Sequence, residues 1–419
     1  MPWSRLLSVF CMLLLLGGCE SVSRKGEEHA APVRAEPVVQ PLHVRWRESA
    51  AALSLDVLLS RFHGATLKRL LRKMAASPLP LPKLERRLAS AGATARRARK
   101  IVAGLFGYRQ EGGVRLSHEE RRLWRRLAAV ARGKKDSSAV DSTDLVRARH
   151  SLVAQTAKAW FHLQGIRQLR RRAQEMRDLH EQIVARLQIN SRLERGGRDG
   201  VLAARKELAR ADSREKQLYR AERLAREALR QLAGSTLKET PPDADGVSQL
   251  PAALPLERLA QRSDLHGTLL RLQQQKLKPV WPKVALTTKH GRASAELSRL
   301  ERLAEKALLE RFSLHPATEP QRVAAKAFAA TLRVVLREVK GALVGVRRLE
   351  AQRKELRQRL RRARKEVNRL RARYSARRAR LLEILQAQLR LTDIAARSAY
   401  VDRRLQDQKV TAHFVLAMP

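Results

Sequence analysis

The 419-residue chain holds only two cysteines, Cys11 and Cys19, both within its first twenty residues. Nothing downstream can form a disulfide, a thiolate metal site or a cysteine nucleophile. Aromatic residues make up 4% of the chain, five Trp, four Tyr and seven Phe scattered along it, too sparse for a base-stacking surface. No apolar run reaches the ~20 residues that a membrane-crossing helix needs. The eleven histidines show no His-x-x-x-His or His-x-x-Glu-His spacing, and neither a Gly-x-x-x-x-Gly-Lys loop nor a Gly-x-Ser-x-Gly elbow is present. Carboxylates such as Glu119 and Glu120 sit among Arg121, Arg122, Arg125 and Arg126, where ion pairing along a helix explains them. These absences predict a protein that is not an enzyme and needs no metal or cofactor.

Acidic residues are also scarce, 41 against 87 Lys and Arg, for a formal net charge of +46. Such a charge suits phosphate, but no nucleic-acid module accompanies it, and nucleic acid is not expected as a partner. Three readings stay open: a solvated face on long helices whose Arg stems cover apolar surface, contact with anionic headgroups, or passage of anions through a basic lumen.

The N-terminus has the layout of a secretory signal: Arg5, an apolar stretch from Leu6 to Leu16, then small residues before Cys19. Leu16, Gly17, Gly18 and Cys19 resemble the lipobox of bacterial lipoproteins. That resemblance implies cleavage before Cys19, a covalent lipid on its thiol and no other cofactor. Glu20 is not the aspartate associated with inner-membrane retention, so outer-membrane sorting is expected. From Ser21 to Gln40 the chain is polar and Pro-punctuated, as a flexible leash would be.

Helical periodicity dominates from Leu145 onward. Leu163, Ile166, Leu169, Ala173, Met176, Leu179, Ile183 and Leu187 recur about every 3.5 residues, the repeat of a left-handed coiled coil. A second stripe runs from Leu336 through Val339, Leu343, Val346 and Leu349 to Tyr374. Each breaks briefly and resumes: Gly196 and Gly197 stop the first and Asp199 can cap the next helix, while Tyr374 to Arg378 interrupts the second. The outcome is two long antiparallel helical hairpins with arms of about 45–75 Å. They align as an internal repeat, Val201-Leu202-Ala203-Ala204 matching Ile384-Leu385-Gln386-Ala387.

The remaining segments divide the chain. The expected organisation is a signal peptide at 1–18, a tether at 19–41, an N-terminal helical region at 42–144 and a first hairpin at 145–238. A linker follows at 239–253, then the opening helix and strand region of a second repeat at 254–318, then a second hairpin at 319–419. Trp46 to Ala75 suits a helix, as does the stretch from Pro255 to Lys276, and Ser117 to Glu120 reads as a capping box. Val280 to Thr288 is the one convincing strand.

Taken together, these segments resemble the TolC-like outer-membrane factors, in their lipid-anchored branch. The resemblance rests on Ala157-Lys158-Ala159-Trp160-Phe161-His162-Leu163, on Arg192 to Gly196 with its copy at Arg373 to Ala376, and on Leu254-Pro255-Leu256 followed by Gln261-Arg262-Ser263-Asp264-Leu265. Trp281-Pro282 stands where the family has Phe-Pro before a barrel strand. It implies a mainly α fold whose two hairpins form the wall of an α-barrel protomer, a homotrimer, and an outer-membrane exit duct working with a periplasmic adaptor and an inner-membrane pump. Gly196, Gly197, Asp199, Tyr374, Arg377 and Arg378 would lie at the periplasmic mouth, where basic residues favour anions by sign. The β-barrel portion is the departure. A membrane strand needs ~9–11 alternating residues, but Phe106 to Gln110 and Val114 to Ser117 are short and charged, and Glu296 to Arg311 reads as an amphipathic helix. The strands are either cryptic or reduced and replaced by helices. The competing reading is a coiled-coil envelope lipoprotein that tethers or spaces membrane layers.

Overall fold

The computed structural model describes residues 59–76, 81–106, 118–132, 142–193, 198–233, 246–250, 253–287 and 292–416. A two-residue strand β1 (Phe62–His63) precedes α1 (Ala65–Ala75), α2 (Leu81–Phe106), α3 (His118–Val130), α4 (Ser142–Leu193) and α5 (Arg198–Ala233). Two short strands, β2 (Gly246–Val247) and β3 (Ala253–Pro255), lead through a 3-10 turn at Leu256–Gln261 into α6 (Ser263–Gln274). Strand β4 (Ala285–Thr287), α7 (Arg292–Arg302), α8 (Glu305–Arg311), α9 (Glu319–Ser375) and α10 (Leu381–Val415) complete the order.

The two hairpins are α4 with α5 and α9 with α10, and α5 and α10 begin 183 residues apart in the sequence. Their four arms lie alongside one another in the order α5, α4, α10, α9. With 52 and 57 residues, α4 and α9 are longer than expected, about 78 and 86 Å at 1.5 Å per residue. Within α4, Ser151 to Ile166 is buried on every side, so this stretch is helical without an amphipathic signature. Helices α1, α3 and α6 pack on α4, while α2 lies along α5.

The largest core draws on α1 to α5, α9 and α10 and includes Trp124, Trp160, Phe161 and Leu163. A second joins the 3-10 turn and α6 to α9. There Phe312 and Phe328 meet edge-on at 5.6 Å and Trp281 meets Phe312 at 5.1 Å, which fixes the non-regular chain before β4. Small clusters finish the arms. Ile183, Val184 and Ala204 meet Leu385, so the first hairpin's tip region touches the second's.

Several expectations change. The helix expected over Trp46 to Ala75 is broken before α1, where Gly64 takes φ 113° and β1 pairs antiparallel with β2; residues 46–58 lie outside the described residues. The helix expected from Pro255 to Lys276 is divided at Arg262, whose backbone is extended. The strand expected over Val280 to Thr288 is regular only at Ala285–Thr287, pairing antiparallel with Ala253–Pro255; Thr288 lies outside the described residues. Phe106 ends α2, and the rest of the first expected strand pair falls outside the described residues. Glu296 to Arg311 is helical as expected, but in two pieces separated at Leu303 and Ala304. Within the second stripe, Leu356, Leu360 and Ala363 are half-buried and Tyr374 is exposed.

Candidate functional site: hairpin tips and a cationic arm

The first tip joins Leu193 to Arg198, and Gly196 and Gly197 lie outside the described residues. Asp199 is exposed in the first turn of α5, where its charge complements the helix N-terminus. The second tip is built by main-chain hydrogen bonds. The Arg378 amide donates to the Arg373 carbonyl at 2.7 Å and the Arg377 amide to Tyr374 at 2.9 Å, the two bonds of a Schellman motif. Arg377 occupies its left-handed position with φ 57°, where glycine would be unstrained. Lys276 and Ser313 end α6 and α8 in the same way. Across the tip, the Glu383 carboxylate accepts from the Arg380 amide at 3.4 Å. The helix ends that flank the two tips therefore sit at one end of the four-arm layer, where Ile183 and Val184 cluster with Leu385. The lipobox residues Leu16, Gly17, Gly18 and Cys19 lie outside the described residues.

Charge is unevenly shared between the arms. Residues 351–380, the distal arm of α9 with its tip, hold fourteen Lys and Arg against two Glu, a net of +12. Residues 381–400 of α10 hold two of each sign. In the first hairpin, carboxylates are embedded among the arginines: buried Glu222 accepts from Arg167 at 3.1 Å, Arg170 at 3.1 Å and Arg226 at 3.0 Å. Desolvation works against ionisation of Glu222, yet hydrogen bonds from Arg170 and Arg167 hold its carboxyl below the usual range. The α9 arm lacks such compensation. Among the described residues, its ion pairs are Arg353 with Asp402, Arg359 with Glu355 and Arg369 with Glu366.

Away from the tips, the Gln261 to Leu265 segment ties the elements together. Buried Arg262 donates to both Asp264 oxygens at 3.0 and 2.7 Å, to Glu338 at 2.9 Å and to the Val415 carbonyl at 2.6 Å. Arg147 of α4 adds an ion pair to Asp264 at 3.5 Å. One guanidinium thus links the start of α6 to α9 and the end of α10, and Asp264 extends the link to α4. Desolvation opposes the charge on Asp264, but Arg262 beside it keeps its carboxyl below the ordinary value.

No protein-family model matches the chain, and no curated protein matches its sequence. Solved structures do. CusC, whose crystal structures concern the conformational changes of folding and transmembrane channel formation, superposes with a TM-score of 0.65 at 18% identity, over 86% of this chain and 97% of CusC. The outer-membrane channel OprN gives 0.51 at 16% identity, over 94% and 99% of the two chains. The outer membrane protein VceC of Vibrio cholerae gives 0.50 at 13% identity, over 84% and 96%.

The fold is that of the TolC-like outer-membrane channels.

Within this TolC-like fold, several residues that organise the structure carry no obvious sequence signal. Gly165 of α4 is one: a Cβ there would collide with Cγ and Cδ of Arg403. Its bare backbone lets α10 approach α4 while the Arg403 guanidinium reaches His162 Nδ1 at 2.5 Å. Burial, with Arg403 and Arg99 nearby, pushes His162 well below its usual pKa, so it stays neutral. Glu120 is another. It is buried and accepts from Ser151 Oγ at 2.5 Å and Gln155 at 3.2 Å, fastening α3 to α4. Among the described residues no cluster of His, Cys, Asp or Glu is placed to hold a metal ion, and no helix is long and apolar enough to cross a membrane.

Proposed function

We propose that the chain is a lipid-anchored exit duct of a tripartite efflux system, with its bilayer portion reduced. The observation that carries this reading is the side-by-side order α5, α4, α10, α9 in a TolC-like fold that spans 97% of CusC. Its outer arms are flanked rather than joined, α5 by α2 and α9 by α6 and α7, so one chain is a wall segment rather than a tube. Closure by rotation demands further copies, and three are proposed, as for the family the sequence resembles. The tips at Asp199, Tyr374, Arg377 and Arg378 would form the periplasmic mouth facing an adaptor and an inner-membrane pump. Acyl groups on Cys19 would hold the duct at the outer membrane.

The strand lengths among the described residues support a reduced bilayer portion. No strand among the described residues exceeds three residues, against the ~9–11 of a bilayer-crossing strand. Where the second repeat would carry its strands, α7 and α8 stand instead. The same observation favours the competing reading, a spacer that links envelope layers without conducting. Size determination in detergent together with single-channel recording separates the two. The duct reading requires a compact trimer with stable conductance, and a thin rod that does not conduct rejects it.

A further inference from the structure

The uncompensated charge of the α9 arm has a definite geometry. Lys354, Arg357, Arg361 and Lys365 follow one another at three- and four-residue steps on an exposed face, opposite the seam formed by Leu349, Leu356, Val367 and Leu370. Arg362 and Arg364 flank that face, and among the described residues none of these six cations has an ion-pair partner. Neighbours at such steps have Cβ atoms ~5–6 Å apart. That is less than the ~8 Å Debye length at physiological salt, so their fields add instead of being screened singly. A helix face that had only to stay hydrated would not need this excess. The adjoining arm of α10, residues 381–400, is equally part of the hairpin and carries as many acids as bases.

We propose that this arm makes the duct selective for anionic cargo, drawing small molecules with several negative charges to the mouth and disfavouring cations. The selection acts by the sign of the potential along α9 and needs no shaped pocket. This inference rests on the exit-duct reading, and its test keeps the two apart.

The full chain in nonionic detergent is titrated with the trisulfonated dye pyranine at low salt, with binding read by fluorescence anisotropy. One variant combines Arg357→Glu, Arg361→Glu, Arg364→Glu and Lys365→Glu. A control combines Arg205→Glu, Lys206→Glu, Arg220→Glu and Arg223→Glu, four exposed cations of α5. Each variant lowers the net charge by the same amount, so only position differs. The arm variant is expected to weaken dye binding by about tenfold and the control by less than about twofold, with ~1 M salt abolishing binding to the unaltered chain. Equal losses in both variants, or none in either, overturn the inference, because whole-molecule charge would then suffice.

Reversal potentials across a salt gradient in planar bilayers supply the second arm of the test. An anion-preferring potential that collapses in the arm variant supports selection by α9, whereas a cation-preferring or unchanged potential overturns it. Absence of any conductance rejects the duct reading, and cargo selection with it, while the dye titration still decides whether the arm attracts anions.

Discussion

Arg262→Met tests how the start of α6 is fastened to α9 and α10. The side chains concerned are little exposed, at 9% for Arg262, 14% for Asp264 and 29% for Glu338. Removing the guanidinium strands the Asp264 carboxylate and leaves the Val415 carbonyl without its 2.6 Å donor. Breaking one side of a buried ion pair costs about 3–5 kcal/mol. Asp264 would keep the Leu265 amide at 3.0 Å and Arg147 at 3.5 Å, and Glu338 can turn toward water, so the lower end, about 3 kcal/mol, is expected. Denaturant unfolding followed by circular dichroism reads the loss. A second variant, Arg262→Met with Asp264→Leu, should recover most of it, because exchanging a whole buried pair for apolar groups is close to neutral. The pH dependence adds a sign. In the unaltered protein the depressed Asp264 carboxyl contributes stability above its ordinary pKa, and this is lost as pH falls through its folded value. In Arg262→Met protonation relieves a stranded charge, so the gap between the two proteins must narrow on acidification. A loss under about 1 kcal/mol, or a gap that widens in acid, would refute the argument.

Other perturbations probe the same geometry. Gly165→Ala should destabilise by about 1–3 kcal/mol in thermal unfolding, as the new Cβ forces α4 and α10 apart; a neutral or stabilising effect, the usual result of this exchange within a helix, would show that Arg403 does not pack on Gly165. Arg377→Gly should stabilise the second hairpin by up to ~1 kcal/mol, since an L residue pays about 1–2 kcal/mol in the left-handed region and glycine's freer unfolded chain returns part of the gain; a lowered melting temperature would contradict the Schellman geometry. Burial pushes His413 down to about 4, against the pull of its hydrogen bond to the Ser248 carbonyl. The unfolded chain therefore binds the extra proton first, and stability should fall by up to about 3 kcal/mol between pH 6.5 and 4. Melting curves across that range should be flatter for His413→Gln. Below it, Glu222 and Asp264, both with depressed pKa values, add the losses that accompany carboxylate protonation.

Periodicity alone established the hairpins, because a stripe near 3.5 residues has one economical solution, burial against another helix with the same stripe. It also located both interruptions: α4 and α5 flank residues 194–197, and α9 and α10 flank 376–380. Composition excluded thiol chemistry downstream of Cys19, since nothing in folding can supply a missing sulfur. The charge excess of α9 was countable from the sequence, but its lack of partners was not. Arg167, Arg170 and Arg226 are as basic as Arg361 and Lys365, yet they converge on Glu222 from two different helices.

Tertiary structure decided the rest, wherever the outcome turned on contacts between residues distant in the chain. The fully enclosed stretch of α4 from Ser151 to Ile166 has no amphipathic pattern, because neighbours cover it on all sides, with Glu120 meeting Ser151 and Arg403 meeting His162. The break at Arg262 depends on Glu338 and Val415, 76 and 153 residues away. The strand at Ala285–Thr287 finds its partner in Ala253–Pro255, about thirty residues earlier in the chain. Local pattern thus determined which segments are helical and where they turn. Long-range packing determined which polar residues are buried, which charges are neutralised and which of the four arms keeps its charge exposed.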